Sequence, residues 1–386
     1  MLVYSKESFD NLHIHDELDL AFSEKCIGKD ERENVKNVYP TGLYTPNMFI
    51  RIGLFVLTVI IVFFSAGLFA MFFLSSASEK TLGATAVFFG LAAYGALEVI
   101  VQQRRHYQSG VDDALSWISA GLIIGGLNGI INMPVLANCL AVFFVCLYLA
   151  LRFADRLMSA ISCMALLAAV FFTYTRFGDF AKATAPFAIM ASAALLYLML
   201  KKLSANRQLQ PYRHCLLILE VITLVCFYLA GNYLVRETSN VMFELPVTEK
   251  KEVPFNLFFW VFTIVVPFVY IIRGIQKKDA ILLRVGLFLA AVMVWTVRPV
   301  FQEIAWESIM TTIGVLLIAV SYIIIRYLGK PRHGFTYAEP AFKTEIDKLQ
   351  LESLVIVESF GQPGKPADGG RFGGGSGGGA GASGDF

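Results

Sequence analysis

Three groups of residues in this sequence have types and spacings that could do chemistry. The first is ionisable: Glu98, Glu220 and Arg284 stand within long apolar runs. A charge at the centre of a bilayer costs about 2.5–3.5 kcal/mol even on the gentlest scale, so such residues mark a functional cluster by default. Mutual pairing, most simply Glu220 with Arg284, would satisfy them and line a polar cavity. Snorkelling to the interface is the structural alternative. It suits Glu98, which has Arg104 and Arg105 nearby, better than Glu220.

The second group is the polar stretch from Gln102 to Leu115, which holds Arg104, Arg105, Asp112 and Asp113. Two basic residues ending one helix and two acidic ones opening the next complement the helix dipoles, which is sufficient as a structural reading. Paired carboxylates at a membrane surface can instead bind a divalent cation or move protons. Nothing adjacent in the sequence completes such a site, so capping is expected. The third group is metal-like: His13, His15, Asp16 and Glu17, and the pair Cys139 and Cys146 seven residues apart. A solvated helix start accounts for the first and small apolar packing for the second. No metal and no cofactor is expected. The chain contains no Gly-x-Ser-x-Gly, His-Glu-x-x-His, Walker loop or Gly-x-Gly-x-x-Gly, so the reading leans away from an enzyme.

The elements that position these residues follow from composition. Of 386 residues, 56% are hydrophobic and only 16% charged, with a mean hydropathy of +0.62. A soluble chain would carry about a quarter charged residues. The apolar residues fall into ten blocks of about 20, the length that crosses a hydrocarbon core about 30 Å thick. They run roughly 48–75, 82–101, 113–131, 134–151, 157–175, 183–200, 214–235, 255–273, 280–298 and 308–327. Lipid offers no partner to backbone N–H and C=O groups, so each must be helical. The predicted fold is an all-α, polytopic transmembrane bundle of about ten spans. Only Asn132 and Met133 separate the third span from the fourth, and fusing them would invert everything downstream. The net charge of +2 gives no attraction to nucleic acid.

Basic residues set the orientation. With alternating spans and the N-terminus inside, 24 Lys and Arg face the cytoplasm and 7 face outward, with Arg284 inside a span. The positive-inside rule then places both termini in the cytoplasm. Residues 1–47 have no short apolar run followed by a small-residue cleavage site, so the first span is expected to act as an uncleaved anchor. The cysteines form no disulfide framework.

Packing signals lie within the spans. Gly121, Gly125 and Gly129 recur every fourth residue, with Gly126 alongside. Small residues at this spacing let helix backbones approach closely, here within one protomer or across a homo-oligomer through the third span. Asn128, Asn138 and Asn232 can hydrogen-bond across the outer half, and Pro186 and Pro267 should kink their helices. Ten spans would divide into five plus five, the plan of inverted-repeat transporters, but the halves show no visible repeat. The largest external loop, about 236–254, could close over a lipid-linked substrate, with Arg176, Arg236 or Arg298 as anion clamps.

The organisation is therefore a cytoplasmic arm (1–47) with one or two short helices near the membrane surface, the membrane domain (48–327), a cytoplasmic segment (328–360) with one amphipathic stretch, and a tail (361–386). The tail has 12 Gly and should be disordered. It is either a passive tether or a docking segment for a protein partner, with Phe386 at its tip.

From Tyr44 to Phe55, and again from Ser109 to Leu115, the chain resembles bacterial multi-pass membrane proteins grouped as families of unknown function. The ending from Phe372 to Phe386 is similar to the Gly-rich tails of bacterial membrane-associated proteins with TPM domains, although those usually end in Trp or Tyr and no TPM domain is present. The resemblance implies a bacterial inner membrane and supplies no reaction. Two functions follow as expectations: a non-catalytic protein of small-molecule transport or envelope scaffolding, or a membrane-embedded enzyme acting on a lipid-linked or glycan substrate.

Overall fold

The computed structural model describes residues 2–23, 26–73, 78–233 and 256–297, with isolated positions between 311 and 326. Eleven α-helices are described: α1 (Lys6–Ser23), α2 (Lys29–Val38), α3 (Met48–Phe73), α4 (Glu79–Arg104), α5 (Val111–Ile131), α6 (Val135–Phe153), α7 (Arg156–Tyr174), α8 (Asp179–Ser204), α9 (Arg213–Ala230), α10 (Asn256–Lys277) and α11 (Ala280–Val297). Short 3₁₀ turns at Thr175–Phe177 and Arg207–Tyr212 lead into α8 and α9. The protein is an all-α bundle, and among the described residues it has no strand, only a single bridge between Tyr44 and His106. Eight helices are long and apolar enough to cross a membrane, and a shorter apolar helix covers 280–296. The expected tenth span apart from those isolated positions, the loop at 236–254, the anion clamps Arg236 and Arg298, and everything from 328 onward lie outside the described residues.

The predicted break between the third and fourth spans is present. Asn132 ends α5 in the left-handed conformation (φ 49°), a state that Asn tolerates better than most side chains. Its N–H bonds the Asn128 carbonyl, Asn128 Oδ1 accepts from Met133 N–H at 3.1 Å, and Pro134 precedes α6. The helices form antiparallel pairs, α4 with α5, α6 with α7, α8 with α9 and α10 with α11. Two cores result. One gathers Leu97, Val101, Leu115, Leu149 and Phe153 with Tyr4 and Phe9 of the arm, and the other gathers Leu224, Tyr228, Val285 and Leu289. None of the residues of α3 from Met48 to Met71 is buried, and Phe49, Phe64 and Met71 stand open. So much contiguous apolar surface is stable only against lipid, which makes this a membrane-embedded protein.

Within the chain, the close approach falls beside the expected glycine stripe. An added Cβ at Gly121 or Gly125 would meet no atom within 4 Å, and one at Gly129 would meet only ordinary contacts. The close approach is made by Gly126, whose Cβ would stand 2.6 Å from the Gly83 carbonyl of α4, and by Gly90, crowded against Ile123. One helical position separates Gly125 from Gly126, a rotation of about 100° about the axis, so spacing alone could not select between them. α8 and α10 continue as helices through Pro186 and Pro267. Asn232 joins a buried network across α9, α10 and α11: its Nδ2 donates to Thr296 Oγ1 (3.0 Å) and Tyr228 Oη (3.3 Å), and Tyr228 donates to the Thr263 carbonyl.

The arm folds into the two short helices expected. Val3 N–H bonds the Arg152 carbonyl, Tyr4 Oη donates to the His106 carbonyl, and Tyr4, Phe9 and Tyr107 pack edge to face. α2 is held to α1 through Asp19. Burial works to raise that carboxyl, but hydrogen bonds from Lys36 and Arg32 outweigh it and hold Asp19 below its ordinary value of 3.8. The stabilisation is therefore complete above that value and is lost as pH falls through the lower folded one. Hydrogen-exchange protection over 29–38 should fall between about pH 5 and about pH 3, and Asp19→Asn should show the low protection at both. Equal protection in the wild type at both ends of that range would exclude the linkage.

Candidate functional site: a charged cavity at one end of the bundle

The arm, the turn at 105–110, the joint at 154–155 and the start of α9 meet at one end of the bundle. Tyr44 N–H bonds the Arg105 carbonyl, Tyr107 N–H bonds the Tyr44 carbonyl, Tyr212 Oη donates to Leu151 O and Cys215 Sγ to Ala154 O. The turn is tightly wound: Arg105, Gln108 and Gly110 all have positive φ. Gly110 is required there, since at φ 92° a Cβ would lie 2.1 Å from the Arg51 carbonyl.

Asp112 holds this turn together. Its Oδ1 accepts from Ser109 N–H (2.8 Å) and Ser109 Oγ (2.9 Å), and its Oδ2 from Gln108 N–H (2.7 Å). Both acids stand in the first turn of α5, as the dipole reading places them, but Asp112 bonds the turn ahead of the helix, and the N-cap Gly110 has no side-chain hydrogen bond. Ser109 Oγ also meets His106 Nδ1 at 2.8 Å, but Ser109 is fully buried and its proton points to Asp112, so it is not placed as a nucleophile. Burial pushes His106 below its ordinary range and Arg104 adds to this, while Asp112 opposes it. Asp113 turns the other way: Arg51 Nε and Nη2 donate to its Oδ2 at 3.0 and 2.7 Å, tying α5 to α3. Arg104 ends α4 and Arg105 follows it in the left-handed cap, both exposed and neither in the cavity.

A cavity of about 270 Å³ opens beside Asp113. Its polar wall comprises Arg51, Asp112, Asp113, Ser116, Asp155 and Arg156, and its apolar wall Trp117, Leu157, Ala160 and Ile218. Asp155 caps α7, accepting from Leu157 N–H (2.8 Å) and Met158 N–H (3.1 Å) at Oδ1 and from Trp117 Nε1 (3.2 Å) at Oδ2. Burial raises its pKa against these donors. Among the described residues no three His, Cys, Asp or Glu side chains converge as a metal site, and His13 and His15 turn instead to Glu17 and the Tyr39 carbonyl.

The three intramembrane charges do not form the cluster expected of them. Glu98 pairs with Arg152 and accepts from Gln102 (2.6 Å) and Tyr94 (3.4 Å). Glu220, 4% exposed, pairs with Lys201 rather than the expected Arg284, and the same Nζ donates to Asp279 Oδ2, both at 2.8 Å. Asp279 also caps α11 through Ile281 and Leu282 N–H. Burial alone would raise Asp279, but Lys201 and these N–H groups hold it below its ordinary range. Arg284 lies half-buried on α11, and neither it nor Glu220 lines the cavity. Sequence reasoning counted Arg51, Arg152 and Lys201 only as orienting charges and passed over Asp155, Ser116 and Trp117. The one local signal was an acid directly before an apolar helix at Asp155. No family model matches the chain, and comparison with curated proteins and with solved structures gives no significant similarity.

Proposed function

We propose that this chain is a multi-pass protein of the bacterial inner membrane with both termini in the cytoplasm, and that it acts without catalysis, taking up a small charged molecule in transport. The observation that carries this reading is the cavity at the end of the bundle where the arm and the basic loops meet, lined by side chains of both signs. The end of greater positive charge is the inner one. The scaffold version rests on the tail alone.

The enzymatic reading, on a lipid-linked or glycan substrate, is favoured by one observation: Asp155 stands in the same cavity with Trp117, Ser116 and Arg156 around it. It requires a bond-breaking partner that these residues do not supply, since Asp112 and Asp113 are engaged in holding the turn and Arg51.

Thiol labelling tests the proposal. Cys26 is exposed on the arm and serves as the orientation marker. A membrane-impermeant maleimide should label Cys26 in inverted vesicles and not in spheroplasts. Ser116→Cys, with the remaining cysteines replaced by Ser, should react from both faces if the cavity alternates between them. Reaction from the cytoplasmic face alone would end the transport version, and labelling of Cys26 in spheroplasts would reverse the orientation.

A further inference from the structure

The cavity contains an unanswered polar group. Ser116 is 1% exposed and lines the cavity beside Asp155; its hydroxyl acts on that carboxylate, yet its Oγ makes no hydrogen bond of full geometry. A buried hydroxyl that is not fully satisfied is destabilising, so a ligand oxygen or N–H beside it would be stabilised. Asp113 commits only its Oδ2 to Arg51, and the Asp155 carboxylate stands close enough to act on it electrostatically.

The charge balance decides what kind of ligand fits. Asp112, Asp113 and Asp155 against Arg51 and Arg156 leave one negative charge. The N-termini of α3, α5 and α7, each equivalent to about half a positive charge, bring the site to within about half a charge of neutrality. A site near neutrality that presents fixed charges of both signs disfavours a simple cation or anion and suits a zwitterion.

Depth supplies the second constraint. Arg51, Asp113 and Asp155 belong to the first turns of α3, α5 and α7, whereas Trp117 lies four residues further along α5 than Asp113, about 6 Å deeper at 1.5 Å per residue. Trp117 and Leu157 are 36% and 37% exposed on the outside of the bundle. The cavity is thus charged at the aqueous end and apolar toward the membrane, the polarity profile of an amphiphile standing in a leaflet.

We propose that this cavity binds the ammonium-and-phosphate headgroup of a zwitterionic phospholipid, the ammonium donating to Asp113, Asp155 and Ser116 and the phosphate accepting from Arg51 and Arg156. The inference rests on the reading of this end of the bundle as a ligand site, and it names the ligand. The same chemistry is carried by the water-soluble headgroup, phosphoethanolamine, which lacks the chains that the apolar wall would cover.

Native mass spectrometry of the full-length protein in detergent, titrated separately with phosphatidylethanolamine, phosphatidylglycerol and phosphoethanolamine, tests it. Phosphatidylethanolamine should bind at least about tenfold more tightly than phosphatidylglycerol, which has no ammonium. Asp155→Asn keeps the helix cap, because Asn caps as well as Asp, and should abolish that preference. Ser116→Ala removes a hydroxyl that makes no full hydrogen bond within the protein, so it should move the melting temperature little while weakening the lipid several-fold. Competition by phosphoethanolamine would support recognition through the headgroup, and binding of phosphoethanolamine without the lipid would assign the site to the soluble molecule. Equal retention of the two lipids with no binding of phosphoethanolamine, or a preference that survives both substitutions, would overturn the proposal. Such a failure would leave the labelling pattern of Cys26 and residue 116 intact, so it is distinguishable from failure of the broader reading.

Discussion

Lys201→Met is expected to destabilise the protein by about 4 kcal/mol at pH 7, the larger part of it recovered by adding Glu220→Gln. Lys201 is the shared partner of Glu220 and Asp279, and the Glu220 side chain is only 6% exposed. Removing one member of a buried pair leaves the other charge without compensation, at a cost of about 3–5 kcal/mol. Denaturation of the purified single and double variants in detergent at pH 7 measures it. A loss below about 1 kcal/mol in the single variant would show that water reaches Glu220 past the half-exposed Lys201, and the pair would not be holding α8 to α9.

Gly126→Val should be at least as damaging, whereas Gly125→Val should be nearly silent. At Gly126 the new Cβ would stand 2.6 Å from the Gly83 carbonyl and 2.8 Å from Val87 N, both backbone atoms of α4 that no rotamer change can move. The helices must separate, undoing the closest pair in the bundle. Overpacking costs about 1–3 kcal/mol where neighbours can yield, so a rigid contact belongs at the top of that range or above it. Gly125 faces open space, where a substitution is expected to stay within about 0.5 kcal/mol. Melting temperatures of the two variants decide the matter. Equal effects would mean that α5 presents a different face to α4.

These two experiments fall where sequence reading and structure part company. Hydropathy located α3 to α11 to within a few residues, including the break at Asn132, because a bilayer demands about 20 apolar residues per helix and polar residues interrupt the pattern. It also put Asp112 in the first turn of a helix, a local matter like its bonds to Ser109 and Gln108, three and four residues away. The glycine stripe was recognised, with Gly126 alongside it, but recurrence every fourth residue could not say that within the chain Gly126 and Gly90 make the close approach while Gly121 and Gly125 face open space.

The charged site was harder to read. Arg51 and Asp113 are 62 residues apart and meet only because α3 and α5 start side by side. Asp155 reaches Trp117 across 38 residues of chain. Glu220 was expected to meet Arg284, and the α8–α9 pairing offered Lys201 instead, 19 residues away.

Membrane residence, helix identity and approximate helix ends are properties of short stretches of chain, set by what lipid requires of each stretch, and they could be read directly from the order of residues. The partner of each charge, the glycine face that is covered and the existence of a cavity between Asp113 and Asp155 depend on how far each helix is turned about its own axis and which helices stand next to it. Rotating a helix changes neither its hydropathy nor its length, so only the assembled bundle decided them.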